Sequence, residues 1–187
     1  MPALGHEFGR LQARLHRLPC EGLPFREPRW LIRHVELPEL LDSIAAKAAE
    51  DQFVHGDYQW GNVVAKAGRI SGVLDFELAR RGDRRIDLGL TLAQLVAGRR
   101  GWGPWGFLGH GFKLLFARAW RRGYESEARV FPLDPVFAAM GAAVLFSNIA
   151  GTPRSRRDPA RLERARQYLT GRLRVAELPI DGVEERE

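Results

Sequence analysis

Apolar residues recur at three- and four-residue steps along most of the chain, the spacing of one face of an α-helix. The first such stripe spans residues 4–18 and ends before Pro19. An apolar helix is predicted to begin at Asp134–Pro135 and a basic helix at Asp158–Pro159, where an acidic N-cap precedes a proline suited to the first helical turn. The predicted helices are 4–18, 38–49, 87–97, 107–122, 135–149 and 159–173, with a short helix or turn at 30–35.

Between the second and third of these helices the pattern shortens to brief apolar runs that predict strands. Residues 53–54 are expected to form a buried strand. Residues 63–65 and 70–74 are expected to pair as a hairpin, because Gly68 suits the tight turn between them. Asp87 is expected to cap the helix that follows. The predicted fold class is therefore α+β and mostly helical, with two or three short strands.

Length and composition are those of one globular domain, or of one large lobe of a bigger domain, with a substantial core. The chain has 187 residues, of which 45% are hydrophobic. A single cysteine, Cys20, excludes an internal disulfide framework and fits a reducing compartment. The N-terminus lacks the basic and apolar pattern of a secretion signal, and no apolar run is long enough for a membrane span. We therefore expect a cytoplasmic location and no membrane partner.

The net charge of +6 favours anionic partners such as phosphates and nucleotides. Nearly all of the basic residues are arginines, and they are spread over the chain in short clusters. They do not interleave with aromatic residues as a stacking platform for single-stranded nucleic acid would. A nucleic-acid partner is therefore not predicted.

Polar residues capable of chemistry collect between residues 52 and 88. Asp57 follows a glycine at the end of a strand, where a carboxylate can accept a proton from a substrate hydroxyl. Asn62 lies five positions further on, and Asp75 ends the second hairpin strand. A carboxamide and a carboxylate suit Mg²⁺, which takes oxygen ligands and completes its shell with substrate phosphates. This set matches the catalytic half of the kinase phosphoryl-transfer machinery.

The same residues carry a family resemblance. The stretches His-Gly-Asp-Tyr-Gln-Trp-Gly-Asn, Val-Leu-Asp-Phe-Glu, Gly-Asp and Asp-Leu-Gly follow one another in the order and spacing of the aminoglycoside phosphotransferase / choline kinase family. The helix ending in Leu15–His16 also resembles one in that family. The resemblance covers about residues 3–175 and implies a fold similar to that of protein kinases.

The resemblance implies a role for each matching residue. Asp57 corresponds to the catalytic aspartate, and Asn62 and Asp75 to the ligands of Mg²⁺ and its bound ATP. His55 corresponds to a structural histidine of the motif. Asp87 corresponds to a buried aspartate that braces the catalytic loop.

Several neighbouring residues have more than one interpretation. His16 is interpreted as a core histidine and Asp83 as a turn residue. Glu77 is either a metal-reaching or a solvated carboxylate, and Trp60 either stacks on substrate or packs its loop. Trp102 and Trp105 flank the glycine-rich segment 98–106, which we expect to be a loop; they either line an acceptor pocket or pack that loop.

The sequence departs from the family in the residues before the motif. The family places a sheet there, with a lysine that pairs with the ATP phosphates. Residues 1–51 instead predict helices, and Lys47 lies on one of them. We therefore expect residues 1–175 to form only a kinase-like C-terminal lobe with its catalytic hairpin, and 176–187 to form a flexible tail. The N-terminal lobe would be lost, misassigned or supplied by another polypeptide.

Two functions follow from this. The first is an ATP-dependent phosphotransferase that transfers the γ-phosphate to a hydroxyl of a small molecule, weak or inactive as an isolated chain. The alternative is a non-catalytic remnant that acts as a binding or interaction protein, including self-association. The arginine-rich C-terminal helices favour a neutral or anionic acceptor over a polycationic aminoglycoside.

Overall fold

The computed structural model describes residues 2–25, 27–97, 104–129, 131, 133–152, 158–180 and 183, with the side chains of Pro2 and residues 104–110 outside that description. The helices described are α1 (Pro2–Leu15), α2 (Pro38–Ala45), α3 (Arg84–Ala97), α4 (Pro104–Ala128), α5 (Pro135–Ala150) and α6 (Pro159–Val175). The strands are β1 (Gln52–Val54), β2 (Val63–Lys66), β3 (Arg69–Val73) and β4 (Arg80–Gly82). Short 3₁₀ turns occupy Pro28–Ile32 and Trp60–Asn62. The mostly helical α+β prediction is confirmed.

Side-chain caps begin three of the described helices. The carboxylates of Asp134 and Asp158 accept the backbone N–H three residues on, at 3.1 Å in each case, as predicted. The prediction for α3 was wrong, because this helix begins at Arg84. Asp83 precedes it and accepts the N–H of Arg85 at 2.8 Å, so Asp83 provides the cap. Asp87 lies inside the first turn and is buried.

Helix α4 is longer than its sequence predicts. It begins at Pro104 rather than Phe107, and it extends beyond Arg122 to Ala128. Of the segment 98–106, predicted to be a loop, residues 104–106 are helical and 98–103 lie outside the described residues. The extension is stabilised by packing, since Tyr124 is fully buried and Glu127 forms ion pairs with α1. These contacts outweigh the low helix propensity of its glycines.

The described strands form two antiparallel pairs. In the β2–β3 hairpin, Lys66 pairs with Arg69 across Ala67 and Gly68, whose φ angles of 49° and 77° are those of a type I′ turn. This confirms the predicted hairpin. The second pair joins β1 to β4, with Phe53 opposite Arg81. Strand β4 was not predicted, because Arg-Arg-Gly has no alternation of apolar and polar residues.

Two apolar cores lie on either side of α3. One surrounds α5 and includes Phe137, Met140 and Phe146. The other lies beneath α1 and α4 and includes Phe8 and Trp120. Helix α3 contributes Ile86 and Leu90 to the first core and Leu88 to the second. Because Asp87 lies on this same shared helix, its position is fixed from both sides.

Glycines let two helix pairs approach at backbone distance. A Cβ at Gly141 of α5 would collide with the backbone of Gly89 in α3. A Cβ at Gly9 of α1 would likewise collide with the Trp120 carbonyl in α4. Larger residues would force either helix pair apart.

The C-terminal segment 176–187 is described at 176–180 and 183. Leu178 and Ile180 pack against the α5 core, and Val183 is buried. Among the helices described, none is both long and apolar enough to cross a membrane.

Three arginines of α1 and its C-terminal turn converge on one carboxylate of α4. Arg10, Arg14 and Arg17 donate to Glu127 at distances between 2.8 and 3.1 Å. Hydrogen bonds from Arg14, Arg10 and Arg17 lower the pKa of Glu127 to about 2, from an ordinary 4.5. The cluster therefore ties the two helices together through a carboxylate that stays ionised in mild acid.

Glu127→Gln is expected to lower stability near neutral pH and to have a much smaller effect near pH 2. The stabilisation from a lowered carboxylate pKa is fully present above the ordinary value of 4.5 and is lost as pH falls through about 2. Urea denaturation at a series of pH values should show the unfolding free energies of wild type and variant converging over that interval. Added salt should reduce the difference, because the arginines are about half exposed.

Glu125→Gln is the matched control, since it removes only one exposed pair with Arg121 on the same helix. It should change stability by no more than about 0.5 kcal/mol. A difference between wild type and Glu127→Gln that stays constant down to pH 2 would contradict the role of the cluster.

Candidate active site

The loop between β1 and β2 carries Asp57 and Asn62, and its first turn requires glycine. Gly56 has a φ of +84°, a conformation that other residues rarely adopt. A Cβ there would lie 2.6 Å from Nη1 of Arg80 and 2.7 Å from the carbonyl of Leu78. The turn therefore packs directly on the segment that leads into β4.

The buried carboxylate of Asp87 holds this turn through hydrogen bonds to its backbone. Its carboxylate accepts the backbone N–H of His55 at 2.6 Å and that of Gly56 at 2.8 Å. Burial acts to raise the pKa of Asp87, but the hydrogen bond and charge of His16, the charge of Arg80 and the backbone bond from His55 together lower it below the ordinary value. The buried carboxylate is thus ionised and fully engaged.

His16 is the side-chain partner of Asp87, a contact that the sequence did not predict. Its Nε2 lies 3.3 Å from Oδ2 of Asp87, and its Nδ1 lies 3.0 Å from the hydroxyl of Tyr124. Burial raises the pKa of Tyr124 to about 12, so this hydroxyl remains protonated. The core position expected for His16 is confirmed. Its contact with Asp87 depends on the packing of α1 on α4, which local sequence does not reveal.

His55 links the loop to the end of the hairpin. The backbone N–H of Asp57 donates to its Nδ1 at 3.3 Å, so the ring hydrogen is on Nε2, which donates to the carbonyl of Leu74 at 3.2 Å. The ring also packs on Phe76 at a centroid distance of 4.7 Å. His55 thereby connects the backbone of Asp57 to the residue before Asp75.

Tyr58 anchors the loop in the core beneath α1. Its hydroxyl donates to the carbonyl of Phe8 at 2.7 Å, and its own carbonyl accepts the hydroxyl of Thr91 at 2.9 Å. Thr91 in turn accepts from Gln12, which also accepts from the indole of Trp120 at 2.7 Å. This buried chain was not predicted, because its members are far apart in sequence and carry no motif.

The carboxylate of Asp57 is half-buried and hydrogen-bonded unevenly. Oδ2 accepts from Gln59 at 2.8 Å and from Asn62 at 2.9 Å, whereas Oδ1 has only a 3.4 Å contact with Gln94 among the described residues. Burial raises the pKa of Asp57 above its ordinary 3.8, and the negative charge of Asp75 adds to the rise. The three amide donors oppose it without cancelling it. Oδ1 is therefore the more available oxygen of a carboxylate with increased basicity.

Asn62 and Asp75 lie at the open end of the hairpin. The side-chain amide of Asn62 donates to the side chain and the backbone carbonyl of Asp57, both at 2.9 Å. The backbone carbonyl of Asn62 accepts the N–H of Leu74 at 2.8 Å. Asp75 follows directly with a φ of +63°, a strained conformation for a non-glycine residue. It is exposed, and no hydrogen bond or ion pair from the described residues engages its carboxylate. The hairpin register therefore brings Asp57, Asn62 and Asp75 into one neighbourhood.

Comparisons with known proteins decide the family. The sequence profile of the phosphotransferase enzyme family matches residues 2–130, which is more than half of the chain and includes the whole site. The chain belongs to this phosphotransferase family. No curated protein sequence matches it significantly.

The family fold is also found among solved structures. A candidate aminoglycoside phosphotransferase from Ralstonia eutropha JMP134, known from its crystal structure, is similar with a TM-score of 0.59 at 19% sequence identity. The match covers 100% of this chain and 66% of the other, so this phosphotransferase-family chain spans just under two thirds of the length of its structural neighbour.

The donor set of this phosphotransferase-family site can be compared with the needs of Mg²⁺. The described residues contain no group of three or more His, Cys, Asp or Glu side chains able to hold a metal ion. Asn62 Oδ1 and the Asp75 carboxylate are both without a donor among the described residues. Two oxygen ligands suit Mg²⁺, which binds through one or two protein groups and substrate phosphates. The residues present therefore fit the ion.

Glu77 and the tryptophans near the site also had more than one interpretation. Glu77 is exposed. Trp60 is 44% exposed and packs its ring on Phe116 at 5.4 Å and on Phe8 at 5.9 Å, so it does pack its loop. Trp102 and the side chain of Trp105 lie outside the described part of the chain.

Proposed function

We propose that this chain is the catalytic lobe of an ATP-dependent phosphotransferase that acts on a hydroxyl group of a small molecule. The observation that supports this most is the joint placement of Asp57, Asn62 and Asp75. The Asp57 carboxylate, whose basicity is increased, accepts a hydrogen bond from the Asn62 side chain. The backbone carbonyl of Asn62 accepts from Leu74, the residue before the exposed carboxylate of Asp75. A proton acceptor beside two oxygen ligands is what phosphoryl transfer to an alcohol requires.

In this proposal Asp57 orients and deprotonates the acceptor hydroxyl. Gln59 and Asn62 fix the carboxylate through Oδ2 and leave Oδ1 facing its weaker contact, so the proton moves to Oδ1. Transfer forms a bond between the acceptor oxygen and the γ-phosphorus, breaks the bond to the ADP oxygen and leaves the hydroxyl proton on Asp57. Burial favours this step, because it raises the pKa of the carboxylate towards that of an effective base.

Asn62 and Asp75 would hold the metal, and Asp87 and His55 hold the loop that carries the base. When bound, Mg²⁺ with ATP supplies the phosphoryl group and neutralises charge on its oxygens. Asp87 fixes the backbone of His55 and Gly56, and the ring of His55 joins Asp57 to Leu74. These bonds keep the base at a constant distance from the metal ligands.

Full activity would need a second lobe. The described residues before β1 form helices and connecting segments, without the lysine-bearing sheet that the resembled family uses to hold ATP. Loss of a preorganised charge of that kind costs on the order of 10²–10³ in rate. We therefore expect the 187-residue chain by itself to be weak or inactive. Robust ATP turnover by this chain, abolished in Asp57→Asn, would contradict that expectation.

A second candidate function is an interaction protein, and exposed apolar residues favour it. Leu74 is 55% exposed, Phe76 44% and Val64 41%, and all three lie on or beside the hairpin. This face would bind a lobe from another polypeptide or a second copy of the chain. Both functions use the same hairpin, but only the phosphotransferase requires it to bind a nucleotide. Nucleotide binding therefore distinguishes them.

Calorimetric titration with Mg²⁺ and a non-hydrolysable ATP analogue tests the proposed function. Wild type is expected to bind, and Asp75→Ala is expected to bind about 10- to 100-fold more weakly, because a charged ligand oxygen is lost. The dependence on Mg²⁺ should be largely lost in the same variant.

Glu39→Ala is the control, since it removes an exposed carboxylate on α2 that has no part in the proposed site. It should leave the nucleotide affinity within about twofold of wild type. Equal affinities for wild type and Asp75→Ala, or affinity independent of Mg²⁺, would favour the interaction protein over the phosphotransferase.

A further inference from the structure

A cavity of about 310 Å³ lies against the loop that carries Asp57. Its lining includes Gly56, the residue before Asp57, and Leu78. It also includes Arg33 and His34, after the first 3₁₀ turn, and Asn148 near the end of α5. A molecule in this cavity would therefore contact the backbone of the catalytic turn directly. Its volume suits a small metabolite.

The titratable side chains that line this cavity in the described part of the chain are basic. Arg33 and His34 are both exposed, and no aspartate or glutamate lines the cavity in the described part of the chain. Among the described residues no carboxylate pairs with either side chain. In the same part of the chain, the guanidinium of Arg33 has only a cation–π contact with Trp30, at 6.0 Å from the ring centroid. Both side chains are therefore available to an anion.

The position of His34 is fixed by two features of α5. Its backbone N–H donates to the hydroxyl of Ser147 at 3.1 Å. Its ring lies directly on Gly151, where a Cβ would collide with Nε2 and the neighbouring ring carbon. The absence of a side chain at Gly151 thus makes room for the imidazole at the wall of the cavity.

The end of α5 does not need Arg33 or His34 as a partner. Its terminal carbonyls at Ser147 and Ile149 accept hydrogen bonds from the backbone of Gly151 and from Thr152, at 2.9–3.2 Å. The negative end of the helix dipole is therefore already satisfied by local groups. Arg33 and His34 are not needed to neutralise these two carbonyls.

We propose, on the basis of the proposed function, that this cavity binds the acceptor and that the acceptor is a small hydroxyl compound bearing a carboxylate or a phosphate. Arg33 and His34 bind its anionic group, and the hydroxyl lies towards Gly56 and Asp57. An arginine guanidinium matches both kinds of anion in geometry. A polycationic aminoglycoside would meet the charge of Arg33 here, and would find carboxylates only in the larger adjoining groove, which carries Glu27 and Glu36 beside Arg29 and Arg33.

Ligand-observed NMR titration of the 187-residue chain tests this proposal without requiring catalysis. The probes are D-glycerate, glycerol 3-phosphate, glycerol, propionate, sulfate and kanamycin. Glycerate, glycerol 3-phosphate or both should bind, at least tenfold more tightly than glycerol, propionate, sulfate or kanamycin. Comparison of the first two identifies which anionic group the cavity takes. Comparison of glycerate with propionate isolates the contribution of the hydroxyls.

Variants locate the binding. Arg33→Gln and His34→Gln should each weaken binding of the preferred anion about tenfold or more, because each removes a hydrogen bond to a charged group. Arg174→Gln, on the exposed surface of α6, should leave it unchanged. Both target side chains are exposed, so neither substitution threatens folding.

Three results would overturn the proposal. These are no measurable binding of either anion, equal binding of kanamycin, glycerol, propionate or sulfate, and anion affinity unchanged in both Arg33→Gln and His34→Gln. Failure of Mg²⁺-dependent nucleotide binding with anion binding intact would remove the proposed function but leave the ligand class of the cavity. Loss of anion binding with Mg²⁺-dependent nucleotide binding intact would remove only the proposal that this cavity binds an anionic acceptor.

Discussion

Asp87→Ala is expected to lower the free energy of unfolding by about 3–5 kcal/mol, the range found when one partner of a buried charged network is removed. The side chain is 1% exposed and accepts from the backbone of His55 and Gly56. Without it, two buried N–H groups and the ring of His16 lose their acceptor. For a chain of this length the loss corresponds to a fall in Tm of roughly 6 to 20 °C. Thermal denaturation followed by circular dichroism measures it.

Asp87→Asn is the matched control for this prediction. The amide keeps the shape and one acceptor oxygen, so it should destabilise less than alanine while still leaving one backbone N–H unsatisfied. Hydrogen exchange should show the amides of His55 and Gly56 losing protection first in both variants. A Tm for Asp87→Ala within about 2 °C of wild type would show that the turn at His55 and Gly56 is held by other contacts.

Gly141→Ala is expected to cost about 3 kcal/mol or more, which is large for the addition of one methyl group. The new Cβ would collide with the backbone of Gly89, which cannot rotate away as a side chain would. Helix α3 would have to move off α5, and Asp87 would move with it. Urea denaturation measures the loss, and the resonances of His55 and Gly56 should shift.

Gly171→Ala is the matched control, because the same added methyl group is expected to stabilise the protein at this position. This residue lies on the exposed side of helix α6, and a Cβ added there would meet no atom within 4 Å. Alanine should stabilise the protein there by about 0.5–1 kcal/mol, because it is the better helix former. Equal effects at the two positions would refute the close approach of α3 and α5.

Local chemistry made part of this structure predictable. The hairpin turn follows from Gly68, and the starts of α5 and α6 follow from an aspartate before a proline. In each case the deciding atoms lie within a few residues of one another. The family also follows from short stretches of sequence, because the motif residues are concentrated between positions 55 and 89.

The unpredicted features depend on contacts between distant segments. The sequence predicts Asp87 as the cap of α3 and Asp83 as a turn residue, whereas Asp83 caps the helix and Asp87 is buried against His16. Strand β4 exists because β1 offers it a partner. Arg80, on this strand, is 1% exposed and donates to the carbonyl of Leu78, which no charge pattern indicates. Tertiary packing overrides local preference in each of these cases.

The hairpin separates its chemically important end from its tip. Asn62 and Asp75 flank the open end, whereas Ala67 and Gly68 turn the chain at the other end, and both turn residues are exposed. Lengthening the tip leaves the pairing of Val63 with Val73 intact, while one residue added within β3 would reverse which face each later side chain occupies. The tip is thus the place where a fluorophore or affinity tag can be inserted to follow the proposed nucleotide binding without disturbing Asn62 and Asp75.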